Sequence, residues 1–183
     1  MGLVMGCRTI IPTGTAQENL EHLDHMTSTA TLGFRIDAAR TVVNGALEAL
    51  PLPDDKTLDT LKEEDDIIKA LGTFFQHDTN VCKAALMKLE SIAGAIERSA
   101  FAAKHVLLRS SLLMLFDDDK RDHVELKMIN FGFSYALPEG SPPAGHTAAW
   151  DGTATSHEDG YLTGARSLVR LMKRLHKDLE IRM

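Results

Sequence analysis

The stretch VELKMINFGFSY, residues 124–135, alternates apolar and polar side chains, stops on an asparagine and then turns through Phe131 and Gly132. Alternation with a period of two is the pattern of a half-buried β-strand, because successive side chains leave opposite faces of the backbone. Just upstream, RSSLLMLF (109–116) is a second strand-like run, and the acidic DDDKRD (117–122) separates the two. The pair reads as a hairpin with a charged turn, and Phe131 and Leu112 are expected to share one core with Leu168 further along the chain. Two strands alone are marginally stable in water, so the rest of the chain has to supply the other side of the core.

Two long helical patterns precede the hairpin. Over residues 58–77, Leu61, Ile67, Ile68, Leu71, Phe74 and Phe75 recur at helical spacing, and over 79–105 Val81, Leu86, Leu89, Ile92 and Ile96 do the same. After the hairpin, residues 138–160 have loop composition, rich in Gly, Pro, Ser and Thr. A last amphipathic helix over 160–178 carries Tyr161, Leu168, Met172, Leu175 and Leu179 on one side and Arg166, Arg170, Lys173, Arg174 and Lys177 on the other. At the front, MGLVMGCRTI (1–10) is strand-like and TAQENLEHLDHMTSTA (15–30) is helical, with Thr15 as N-cap and Glu18 three residues later completing a capping box. TLGFRIDAARTVVNGAL (31–47) reads as an extended segment, a bend near Asp37 to Arg40, and a strand that ends at the hairpin-forming pair Asn44-Gly45. With no repeat and no linker composition, the expectation is one α+β domain over 1–183, antiparallel strands packed with helices.

At 183 residues, 44% apolar and 25% charged, the chain can bury roughly 70% of its unfolded surface without a disulfide or a structural metal. No apolar run approaches the roughly 18 residues of a membrane span, and the start lacks the cationic and apolar regions of a signal peptide. The net charge of −6 argues against non-specific nucleic-acid binding. Cys7 and Cys82 are far apart and unpaired in spacing, which suits an intracellular, reducing compartment, cytoplasmic or nuclear, with both thiols buried. Gly2 does not complete an acylation pattern, since Gly6 stands where Ser or Thr is expected.

Three charged clusters read as solvated surface rather than sites. His22 and His25, with Asp24 between them, lack a third zinc ligand at recognisable spacing. The carboxylates of 117–122 lack the spacing and central glycine of a calcium loop. The basic side of the last helix is read as a solvated face beside an acidic body.

Other segments carry a resemblance. Ser110, Ser111, Leu112 and Leu113; Ile129 and Phe131; and Asp159, Gly160, Tyr161 and Gly164 fall in order as an SSLL strand, an IDF-like strand end and a DGYxxG segment opening a helix. Upstream, VMGCRT and TSTATLGFRI supply Met5, Gly6, Arg8, Thr9, Thr27, Ser28, Leu32, Gly33, Phe34, Arg35 and Ile36. In these features the chain resembles the inositol polyphosphate kinase family over about residues 2–176. The resemblance implies the C-terminal lobe of a fold related to the protein kinases, with an N-terminal lobe expected upstream and missing here.

The same resemblance marks where the catalytic pattern fails. Aligning Gly6 with the last glycine of the family signature PxxxDxKxG puts Gly2 at the aspartate and Val4 at the lysine, and Asn130 stands at the IDF aspartate that holds Mg²⁺ in the family. Valine supplies no cation for phosphoryl transfer, and an amide oxygen adds no charge to offset a metal. The resemblance therefore implies a non-catalytic relative, a binding or structural module whose partner is a protein or larger assembly covering the missing lobe's surface. No cofactor or metal is expected. Its alternative is an active, ATP- and Mg²⁺-dependent inositol phosphate kinase present here as a fragment or completed by another chain. If an inositol phosphate binds without turnover, Arg8, Arg35 and Lys127 are the available cations.

Overall fold

The computed structural model describes residues 1–9, 18–52, 56–121, 123–148, 151, 153 and 156–182. The hairpin read from residues 109–129 is its centre: β6 (Ser111–Phe116) pairs antiparallel with β7 (Val124–Ile129), from Ser111 opposite Ile129 to Phe116 opposite Val124. On the other side of β6 lies β1 (Gly2–Met5), and beyond it β2 (Phe34–Ala38), giving an antiparallel sheet of order β2-β1-β6-β7. Leu3, Met5, Phe34, Ile36, Leu112, Met114 and Val124 are at most 1% exposed and form its inner face.

That face is covered by α3 (Glu64–Phe74), α4 (Thr79–Arg98) and α5 (Tyr161–Ile181), the three long helical patterns of the sequence. All six apolar positions named between Leu61 and Phe75 are buried, as are the five on α5. Asp78 caps α4 by accepting from the Asn80 and Val81 amides, so the break after residue 77 is set by a side chain that satisfies otherwise orphaned donors. The helical pattern over 58–77 resolves into a 3₁₀ turn at Leu58–Thr60 and then α3. The pattern over 79–105 stops at Arg98, because Ser99 is extended and a 3₁₀ turn (Ala102–Lys104) leads into the short strand β5 (His105–Val106). β5 pairs with β8 (Tyr135–Ala136).

The region after residue 15 also differs from its reading. Thr15 lies outside the described residues; the helix there is α1 (Glu18–Met26), followed by the single turn α2 (Thr29–Leu32). The bend near Asp37 to Arg40 turns out to be a change of sheet: β3 (Arg40–Val43) pairs not with β2 but with β4 (Ala46–Ala49), through a turn in which Asn44 and Gly45 both have positive φ. Those two values are what a tight hairpin whose twist matches its strands requires.

Three expectations need correction. Phe131, placed in the core with Leu112 and Leu168, is 44% exposed, because the chain leaves β7 through a left-handed Asn130 and swings the ring off the inner face. Cys7 is only partly buried, whereas Cys82 is fully buried. Asp24, read as part of a solvated face, is buried, while His22 and His25 are exposed as expected. The basic side of α5 is exposed and faces an acidic surface: Arg166 meets Glu97, Arg170 meets Glu64, Lys173 meets Glu90 and Arg174 meets Asp65, at 2.5–2.8 Å.

Candidate functional site

Since Leu3 and Met5 point inward, the alternation of β1 sends Gly2 and Val4 to the outer face of the sheet. Register then assembles a site from residues distant in sequence. Val4 lies opposite Ser111, and Ser111 lies opposite Ile129. Asn130 follows at φ 62° and ψ 55°, a left-handed conformation that asparagine tolerates better than most residues. Its Nδ2 donates to Ser111 Oγ at 3.2 Å. Two residues along, Gly2, Leu113 and Lys127 form a second row across the same three strands.

Gly2, Ser111, Leu113, Ile129 and Asn130 line one side of a cleft of about 490 Å³, and the β3–β4 hairpin lines the other with Arg40, Thr41, Val42 and Leu47. The lining is mostly apolar, including Leu113, Leu115 and Ile129. Asp37, Arg40 and Asp118 are its charged members, and Asp37 also meets the buried Arg35 at 3.4 Å.

The candidate cations do not converge. Arg8 is 3% exposed, and its Nε and Nη2 donate to the carbonyls of Glu158 and Ser156, both at 3.1 Å. Arg35 is 5% exposed and pairs with Asp24 at 3.1 Å, while Asp24 also accepts from the Thr9 amide and hydroxyl at 2.7 Å. Burial pushes the Asp24 carboxyl up, against the opposing pull of Thr9 and Arg35. Arg35 stands opposite Val4 on the outer side of the sheet but is buried in its pair with Asp24, whereas Lys127, on the same side at β7, is exposed.

The remaining motif residues hold the fold together. Ser110 is buried, its hydroxyl donating to the Leu107 carbonyl at 2.8 Å. Asp159 accepts from the Tyr161 amide at 2.8 Å, the Leu107 amide at 2.6 Å and the His146 ring at 2.9 Å. Gly160, at φ 70°, leads into α5, and a side chain there would overlap Cys7. Tyr161 is fully buried, and Gly164 lies against the Gly33 backbone. His146 was invisible in the sequence: it stands in a Gly- and Pro-rich loop with nothing at short spacing to pair with.

A nucleotide with its Mg²⁺ does not fit the residues at this place. Val4, Ser111 and Asn130 offer an isopropyl group, a hydroxyl and an amide already donating to that hydroxyl, and Gly2 offers no side chain. None of these balances a divalent ion or a transferring phosphate. Among the described residues, no group of three or more His, Cys, Asp or Glu could hold a metal, and no helix is long and apolar enough to cross a membrane.

Comparison with known proteins bears on the origin of this site. The chain is 32% identical over 157 residues to an inositol-trisphosphate 3-kinase homolog of Caenorhabditis elegans, and 29% identical over 164 residues to human inositol-trisphosphate 3-kinase B. These matches cover 85% and 90% of this chain but 29% and 16% of those proteins, so the chain spans less than a third of either. Among solved structures, an inositol phosphate multikinase superposes with a TM-score of 0.67 at 17% identity, over 96% of this chain and 78% of that one. An inositol phosphate multikinase from S. cerevisiae, in complex with ADP and Mn²⁺, gives 0.62 at 12% identity, over 94% and 76%. The fold is therefore the α+β fold of these kinases. The family model for inositol polyphosphate kinase matches residues 1–173, a span that takes in β1, β6, β7 and the first part of α5, and the chain belongs to that family.

Proposed function

We propose that this chain is a non-catalytic member of its family that works as a binding or structural module. The observation that carries the reading is the setting of Ser111, between Val4 and Asn130, where the positions expected to bear a lysine and a metal-binding aspartate hold a valine and an amide engaged with Ser111. Phosphoryl transfer depends on charge placed against the transferring group, and neutral side chains cannot supply it. Around the cleft, Val42, Leu47 and Leu115 are 54%, 70% and 48% exposed, the kind of apolar surface that a protein partner or larger assembly covers.

The competing reading, an ATP-dependent kinase of inositol phosphates completed by further chain, draws on family membership and on the fraction of its relatives' length that the chain spans. It requires the nucleotide and metal that these residues do not fit. Incubating the chain with γ-labelled ATP, Mg²⁺ and a panel of inositol phosphates separates the two. The expected result is no labelled product above a protein-free control, and turnover that persists through repurification would establish the kinase instead. Binding of an inositol phosphate without turnover, detected by calorimetry, would assign the module a ligand and point first to Lys127.

A further inference from the structure

The β3–β4 hairpin stands apart from the rest of the fold. It forms a two-stranded sheet of its own, and among the described residues no hydrogen bond or ion pair joins residues 40–49 to the rest of the chain. Its root is fixed where the Leu50 amide donates to the Ala39 carbonyl at 3.1 Å, both residues being buried. Just before that root the β1–β2 register slips: Leu3 faces Ile36 but Gly2 faces Ala38, so β2 carries Asp37 as one residue in excess. An extra residue on one strand bends it and increases its twist, which here turns the chain out of the four-stranded sheet.

The bond at the root sets the order of the hairpin's side chains. With Ala39 bonded to Leu50, the pairs Thr41–Glu48 and Val43–Ala46 are the hydrogen-bonded ones, and Val42–Leu47 is a non-bonded pair, whose side chains lie close together on one face. Both of these residues are exposed and both line the cleft. Leu113 and Leu115 line it from β6, and the row from Leu113 through Gly2 to Ala38 leads from that wall toward the hairpin. Gly2 and Ala38 offer nothing larger than a methyl group, so the cleft is a hollow with apolar side chains on both walls and little filling between them. A two-stranded hairpin is marginally stable in water, and it gains stability from any apolar surface that it covers.

We propose that the hairpin is a lid: it swings about Ala39 and Leu50 and sets Val42 and Leu47 into the hollow over Gly2 and Ala38, against Leu113 and Leu115, so that the cleft alternates between an open and a self-closed state. Closure breaks no hydrogen bond or ion pair between residues 40–49 and the rest of the described chain, and it removes apolar surface from water on both walls. Tethering decides the occupant. Val42 and Leu47 are held beside the hollow by two or three residues of chain from the root, an effective concentration of roughly millimolar order that an apolar group from outside has to match. The inference stands on the hairpin and the hollow alone, whichever ligand the cleft receives and whether or not the chain transfers phosphate.

Methyl-labelled NMR of the intact chain and of two variants tests the proposal. In the parent, cross-peaks should join the methyls of Val42 or Leu47 to those of Leu113 or Leu115, and relaxation dispersion on both walls should follow one exchange rate. Ala38→Trp fills the hollow from an exposed position and should remove both signals. Leu47→Ser leaves the hollow intact but takes away most of the lid's apolar surface, and the cross-peaks from Val42 should fall at least threefold. The cross-peaks between Leu3 and Leu112, which are opposite each other and buried, should persist in both variants and report that the sheet is intact. Absence of cross-peaks between the walls in the parent would overturn the proposal, as would dispersion confined to the hairpin. So would survival of both signals in Ala38→Trp, or cross-peaks without dispersion, which would make the hairpin a fixed wall.

Discussion

At the scale of single residues, the most demanding position in the molecule is His146. It is 2% exposed, has φ 56°, and both ring nitrogens face acceptors: Nδ1 lies 2.9 Å from Asp159 Oδ2 and Nε2 lies 3.0 Å from the Ala102 carbonyl. A ring with two acceptors is fully satisfied only when both nitrogens carry protons. Burial pulls its pKa down, but the hydrogen bond and charge of Asp159, with the Ala102 carbonyl, leave it above its ordinary value of 6.5. A raised folded pKa means stability that is fully present below about 6.5 and is lost as pH climbs through the folded value, with a slope of at most about 1.4 kcal/mol per pH unit. Urea midpoints of the parent and of His146→Gln between pH 5 and 9 check this. The parent should lose stability relative to the variant as pH rises, and parallel profiles would mean that the ring is neutral.

Elements meet most closely where α5 crosses the turn after α2. Gly33 has φ 74°, its carbonyl accepts from the Gly6 amide at 2.8 Å, and a methyl group on Gly164 would overlap that same carbonyl. Backbone on both sides leaves nothing flexible to give way, so Gly164→Ala should cost about 3 kcal/mol of unfolding free energy. Gly94, inside α4, is the contrast. A methyl there would meet only the far end of the Arg98 side chain at 3.0 Å, and Gly94→Ala should stabilise α4 by up to about 1 kcal/mol through helix propensity. Chemical denaturation of both variants checks the pair, and equal effects would place the helix crossing elsewhere. The sequence supported a helix at both positions and could not tell these two glycines apart.

For the whole molecule, the question is whether a carboxylate in place of Asn130 would complete the cleft as a nucleotide site. Asn130→Asp puts a carboxylate beside Ser111 at an exposed position whose left-handed backbone aspartate also accepts, so stability should change by no more than about 1 kcal/mol. The variant should still fail to bind Mg²⁺-ATP, because Val4 and Gly2 leave the phosphates without a partner on the neighbouring strand. Calorimetric titration decides it: micromolar affinity in the variant would show a complete site held back by one substitution, and the proposed function would fall.

The local sequence by itself determined the kinds of element: the alternation of 124–129, the helical spacing of α3, α4 and α5, the Asn44-Gly45 turn and the residues that face inward along each. Those follow from backbone periods of 2 and 3.6, which side-chain order records within a few residues. The motif order carried the family and named Gly2, Val4 and Asn130, yet it could not show that Val4 and Asn130 both meet Ser111, nor that Arg8 and Arg35 are buried and already partnered. It also missed the Asp159–His146 pair and put Phe131 in the core. These were decided by strand register and by loops closing over distant segments. Such contacts join residues far apart in sequence and leave no short-range pattern, so only the tertiary structure brings them together.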